Sequence, residues 1–140
     1  MNDKVFVDTN VLVYAHDQKE GFKQLAAKKT LRALRQQHSG VLSMQVLQEF
    51  YSTVTRKLAS PVPKDQARAI VEDFAYWCVE TTPAEIKQAF LIEDAARIGF
   101  WDALIVAAAL KAGATQILSE DLNAGQTIAG IQIVNPFVLP

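Results

Sequence analysis

Short apolar runs rich in β-branched residues alternate along the chain with longer segments whose apolar positions recur every three to four residues. The runs at 4–8, 41–43, 116–119 and 131–134 read as buried strands, and Cys78–Glu80 as a plausible further one. The first strand hands over directly to a short helix, Asn10–Ala15. Phe22–Gln37 follows as a second helix, with Phe22, Leu25, Ala26, Leu31 and Leu34 as its apolar face. Met44–Leu58 and Lys64–Trp77 are two more, parted by the turn Ser60-Pro61-Val62-Pro63, which is too short to separate domains. Thr82, Pro83 and Glu85 form the best-defined helix start, with a side-chain cap, a proline in the first position and a capping box. That helix runs to about Ile98 and stops at Gly99. The last helix, 102–112, is apolar on nearly every side and closes at Gly113, so it should be buried. Strands alternating with helices predict an α/β domain with a largely parallel sheet covered on both faces. No repeat or low-complexity tract interrupts it.

Composition narrows this reading. A chain of 140 residues, half of them hydrophobic, fits one domain, 1–140, and should bury roughly 68–70% of its unfolded surface. The lone Cys78 has no internal partner and sits in an apolar Trp77-Cys78-Val79 setting, which points to the core and to a reducing cytosol. Met1-Asn2-Asp3-Lys4 enters a strand with no apolar leader, and the longest unbroken apolar stretch, Ala103–Leu110, falls short of the ~20 residues of a membrane span. A soluble cytoplasmic protein without a membrane partner is the expectation. With 14 basic and 15 acidic residues the formal charge is −1, so the strong basic signature of many nucleic-acid binders is missing. That does not exclude nuclease chemistry, because a carboxylate cluster built for metals is itself acidic.

Four acids stand apart from the rest by context. Asp8 ends the first apolar strand. Asp121 lies just beyond another, after Ser119-Glu120. Asp102 opens the buried helix, and Glu49 is the acidic residue of a helix otherwise carrying Gln, Ser and Thr up to Arg56. Parallel strands expose their carboxyl ends on one edge, where helices also begin, so these residues can converge. Each also has a simpler use: Asp102 as a helix cap, Glu49 as a solvated residue, Asp8 and Asp121 as turn formers. Carboxylates gathered without cations repel and call for protons or metal. Oxygen donors without paired Cys or His favour Mg²⁺ or Mn²⁺ over zinc. Such a site can activate water and neutralise a phosphodiester.

Competing chemistries lack their residues. An aspartyl phosphotransfer enzyme needs a second acid two positions after the first, where Asn10 stands. A receiver domain needs paired acids at strand one and an Asp ending a central strand, yet the second strand ends in Ser43-Met44. Lys28, Lys29, Arg32 and Arg35 make a basic stripe, and Arg56, Lys57, Lys64 and Arg68 flank the proline turn; both sets read first as solvated faces and second as phosphate contacts. His16 and His38 fall in polar segments expected to be exposed. Trp101 reads first as packing beneath the acidic site, second as a base-stacking ring. Tyr14, Phe50 and Tyr51 read as core or subunit contacts.

The ordered set Asp8-Thr9-Asn10, Gln48-Glu49-Phe50, Trp101-Asp102-Ala103-Leu104 and Ser119-Glu120-Asp121-Leu122 resembles that of PIN-domain ribonucleases over essentially the whole chain. Length and the ending Asn135-Pro136-Phe137 are similar to those of VapC-type toxins. The resemblance implies a three-layer α/β/α domain with a four- or five-stranded mainly parallel sheet. It implies a metal-dependent endoribonuclease whose Asp8, Glu49, Asp102 and Asp121 hold Mg²⁺ or Mn²⁺, supported by Asn10 and Ser119. Glu120 either points away or makes an outer contact. RNA as substrate, a cognate antitoxin and a homodimer are implied partners; the last would also account for apolar helices at 44–58 and 64–77. The pI near 6.1 departs from the more basic surface common in such enzymes. The rival is a catalytically silent domain that keeps the fold to bind RNA or protein.

Overall fold

The computed structural model describes residues 3–138. In chain order the elements are β1 (Lys4–Val7), α1 (Thr9–Ala15), α2 (Phe22–Gln37), β2 (Gly40–Val41), α3 (Met44–Arg56) and α4 (Lys64–Phe74). A single 3₁₀ turn (Ala75–Trp77) leads on to α5 (Pro83–Ala96), α6 (Phe100–Lys111), β3 (Ala114–Leu118), β4 (Thr127–Ile128) and β5 (Ile131–Val134). The five strands lie in the order β2-β1-β3-β5-β4. All pairings are parallel except β4 with β5. Crossovers leave β1 toward β2 on one side and return to β3 on the other, which puts helices on both faces and gives three layers, α/β/α. Helices α1 and α2 pack together, α5 pairs with α6, and α6 lies on β3.

The central strands are covered on both faces, so neighbouring residues are buried rather than alternate ones. Phe6 and Val7 of β1 and Ile117 and Leu118 of β3 are all in the core. Helix α6 buries Ala103 and every residue from Ile105 to Ala109, as its all-round apolarity predicts. Thr82 and Glu85 form the predicted capping box, the Thr82 N–H donating to Glu85 Oε1 at 2.8 Å.

Several boundaries differ from expectation. Helix α5 ends at Ala96, with Arg97 left-handed, and Gly99 caps α6, which begins at Phe100. Asp102 therefore lies inside the first turn and is no N-cap. Cys78–Glu80 forms no strand but one parallel bridge, Leu42 to Cys78. The Trp77 ring fills the space beside Gly40, where a Cβ would come within 2.3 Å of it. The chain then turns away to cap α5. Cys78 itself is half-buried, and burial followed by the Glu80 charge pushes its thiol up.

Strand β4 was not expected. It joins β5 through Ala129 and Gly130, both at positive φ (51° and 84°). This is the geometry of a tight hairpin turn, whose usual sequence signals are Asn-Gly or Asp-Gly rather than Ala-Gly. In α2 the buried residues are Ala27, Leu31 and Leu34, while Phe22 and Leu25 are exposed. His16 is half-buried, its Nδ1 2.9 Å from the Leu12 carbonyl and its ring edge-on to Phe50. Burial lowers its basicity. His38 is exposed, as expected. Arg35 leaves the basic stripe to pair with Asp73 at 2.8 Å and to lie over Phe74. Arg68 donates to the Tyr51 hydroxyl at 3.1 Å.

Candidate active site

The strand order reverses at β1. Its carboxyl end and that of β3 therefore flank an open crevice, the place where ligands bind in such sheets. Val7 pairs with Leu118 in the ladder, so the next residues, Asp8 and Ser119, emerge side by side. The ladder holds both backbones: Asp8 N–H donates to Leu118 O and Ser119 N–H to Val134 O, each at 3.0 Å.

The side chains lock together above it. Ser119 Oγ, fully buried, donates to Asp8 Oδ2 at 2.7 Å and receives the N–H groups of Asp121 and Leu122 at 3.1 and 3.2 Å. Asp8 Oδ1 takes the Thr9 N–H at 2.7 Å and so also caps α1. The Asn10 amide is oriented by accepting the Glu120 N–H on Oδ1 at 3.1 Å. That turns its NH₂ toward Asp121 Oδ2 (3.1 Å), Ser119 Oγ (3.3 Å) and Asp8 Oδ2 (3.5 Å). Asn10 is thus a neutral donor set between two carboxylates. Helix α3, started by the Ser43 hydroxyl on Val46 N–H, carries Glu49 to the rim, where Thr9 Oγ1 donates to Oε1 at 3.1 Å. A cleft of about 300 Å³ opens here, lined by Thr9, Asn10, Glu49, Thr53 and Asp121 together with Val13 and Tyr14.

The electrostatics follow burial. Asp8 is only 7% exposed, and desolvation pushes its carboxyl up to about 6, against the hydrogen bonds from Ser119 and Thr9 and with the charges of Asp121 and Glu49 adding to the rise. Asp102 is raised first by burial and then by Asp121. The four acids thus feel one another through Asp8–Asp121, Asp8–Glu49 and Asp102–Asp121.

A PIN-domain family model matches residues 5–127. The chain belongs to the PIN-domain family. No curated protein sequence matches it. Among solved structures it is similar to a toxin–antitoxin complex from Klebsiella pneumoniae, at 15% identity and a TM-score of 0.70, covering 95% of this chain and 98% of that one. It is also similar to VapBC2 from Rickettsia felis bound to a promoter DNA fragment, at 16% identity and a TM-score of 0.60, covering 92% and 96%. At these identities the likeness is one of fold.

Within this PIN domain the donor set consists of hard carboxylate oxygens, which fit Mg²⁺ or Mn²⁺. Among the described residues no three His, Cys, Asp or Glu side chains stand close enough to surround one ion. At most two of these carboxylates could then bind one ion directly, a number Mg²⁺ accepts because it commonly keeps several waters.

Glu120 points away from the crevice. It receives the Tyr14 hydroxyl at 2.5 Å and the Lys23 ammonium at 2.7 Å, with Lys23 also over the Tyr14 ring. Burial alone would raise its carboxyl, but Lys23 and Tyr14 together hold it below the usual range. Glu120 thus takes the first of its two expected orientations, Tyr14 pairs with it rather than serving only as a packing residue, and Thr9 and Lys23 carry no role in the sequence reading. Thr9 lies within the Asp-Thr-Asn motif, which was a usable signal; nothing in the spacing of Lys23 pointed to the site. Trp101 does not pack beneath the acids. It is 66% exposed, because α6 starts before it and directs Ala103, rather than its ring, into the core.

Proposed function

We propose that this PIN domain is a Mg²⁺- or Mn²⁺-dependent endoribonuclease acting in the cytoplasm as the toxin of a toxin–antitoxin pair. One observation carries the reading: a carboxylate is buried at the switch point, where desolvation opposes its ionised form, and a second carboxylate, Asp121, faces it across a neutral amide. A fold gains nothing in stability from such an arrangement without a cation. When bound, Mg²⁺ or Mn²⁺ supplies positive charge that lowers the pKa of a water and offsets charge growing on a phosphodiester.

The residues divide the remaining work. Asp8 and Asp121 would hold the cation from the two strand ends, and Glu49 and Asp102 would add negative charge from α3 and α6. Ser119 fixes the direction of Asp8 Oδ2, and Asn10 keeps Asp8 and Asp121 apart while orienting both. Glu49 and Asp121 line the cleft, so either can take a proton from water attacking the phosphodiester in line. The printed descriptions of the similar structures support an antitoxin as partner. A groove of about 450 Å³ between α3 and α4, walled by Leu47, Tyr51 and Val71, is the place for its segment. A homodimer completes the proposal, and light scattering giving a monomer at micromolar concentration counts against it.

The competing reading is a silent domain that keeps the fold, favoured by the wide spacing of the acids. Calorimetric titration with Mn²⁺ separates the two. Binding that disappears in Asp8→Asn, together with RNA cleavage lost in the same variant, supports the nuclease. No heat at millimolar Mn²⁺ supports the silent domain.

A further inference from the structure

We propose that the hollow beside Asp102 is a nucleobase subsite, in which Trp101 stacks an unpaired base of the RNA next to the cleaved phosphodiester. The inference rests on the nuclease reading and adds how the strand is gripped. Trp101 directly precedes Asp102 in the first turn of α6, and Gln48 directly precedes Glu49 in α3, so two residues of the hollow are chain neighbours of two of the acids. The ring is exposed yet braced. Phe100 meets it edge-on at 5.3 Å, Phe90 backs Phe100 at 5.8 Å, and the Gln45 amide donates to the Trp101 carbonyl at 3.2 Å. A large aromatic ring that stands in water with other rings beside it offers a stacking surface.

The hollow it borders measures about 370 Å³ and lies between the starts of α3, α5 and α6. Met44 and Leu104 give it apolar walls, and Gln48 a polar edge. Gln48 adjoins Glu49 and has no hydrogen-bond partner among the described residues, which leaves both its donor and its acceptor for a ligand. No Lys or Arg lines the hollow, and its one charged residue, Glu85, is occupied by the Thr82 cap. Such a lining rejects a phosphate and suits a neutral planar group with a hydrogen-bonding edge. Single-stranded RNA is recognised by that combination of aromatic stacking and edge contacts.

The test measures binding of a short single-stranded RNA to the full chain in an Asp8→Asn background, where the strand stays intact, and cleavage in the otherwise native chain. Trp101→Ala should weaken binding roughly 5- to 100-fold, and Trp101→Phe should restore most of it. Removing one base at a time from the RNA should reveal a position whose loss weakens binding to Trp101 and has no further effect on Trp101→Ala. Gln48→Ala, on an exposed residue that leaves the fold intact, should cost a few-fold and change the preferred base at that same position. Cleavage by the native chain that is unaltered in Trp101→Ala, with no base position coupled to it, overturns the subsite and leaves the nuclease standing. Absence of both cleavage and RNA binding in the native chain overturns both. Conversion of a dimer to a monomer by Trp101→Ala, with RNA affinity following the dimer fraction alone, makes the hollow a subunit contact and overturns the proposal.

Discussion

The two halves of the acidic rim are built in opposite ways. On the strand side, Asp8 and Ser119 are buried, fixed by ladder hydrogen bonds and tied to each other at 2.7 Å. On the helix side, Glu49 is exposed and held by a single threonine hydroxyl, and Trp101 stands in solvent. The strand half is preorganised against its own electrostatics. The helix half has room to move and meets what arrives. Desolvation is greatest at Asp8, with the half-buried Asp102 on α6 raised in the same direction, so a substitution at Asp8 should act on chemistry and stability together, whereas one at the exposed Glu49 should act on binding almost alone.

The largest expected effect tests the buried half. Asp8→Asn should reduce RNA cleavage at least about a thousandfold, the scale on which lost transition-state electrostatics are felt, and should abolish growth inhibition. The metal-free fold should nevertheless gain stability at pH 7.5, seen as a higher melting temperature. A variant that still cleaves at the native rate would break the comparison outright.

Next comes pH. Asp8 ionises about 6 in the folded chain against 3.8 as its ordinary value, so folding favours its protonated form. The contribution is whole below pH 4 and is lost as pH rises through 6, costing about 3 kcal/mol in the metal-free protein. Denaturant melts from pH 4 to 7.5 should show this decline, and millimolar Mn²⁺ should reverse it only at the upper end. A flat profile would mean that burial at the switch point carries no electrostatic cost.

Ser119→Ala removes the donor to Asp8 and the acceptor for two backbone N–H groups. It should destabilise the fold by roughly 2 kcal/mol and push Asp8 further up, which the same melts would report. Smallest in stability is Glu49→Gln, which should shift the fold by less than about 0.5 kcal/mol while weakening Mn²⁺ binding in calorimetry. Equal losses of stability in these last two variants would erase the contrast between the halves.

The same contrast governs what could be read in advance. Asp8, Asn10 and Ser119 follow strands whose apolar runs are unmistakable, and the parallel order then brings their ends together. The sequence puts Asp102 on a helix but not at its true position, because Gly99 looks like a terminator and serves instead as the cap of α6. Trp101 misled for a related reason: moving the helix start back to Phe100 fixes which neighbours of Asp102 face inward. The β4–β5 hairpin was missed because Ala129 takes a left-handed conformation that its side chain disfavours. The strand expected at Cys78–Glu80 does not form, because Trp77-Cys78-Val79 is apolar enough for a strand but makes a single bridge. Lys23 reaches Glu120 through tertiary geometry alone, which no local pattern encodes.

The sheet closes at both margins with strands of two residues, β2 and β4. Beyond β2 the backbone is shielded by the Trp77 ring over Gly40 and by the bridge at Cys78. Unpaired strand margins invite another chain to extend the ladder, and brevity with cover is how folded proteins discourage it. Neither margin here offers a template long enough for that. Assembly of two copies by a continuous intermolecular sheet is thereby disfavoured, and self-association is left to helical surfaces.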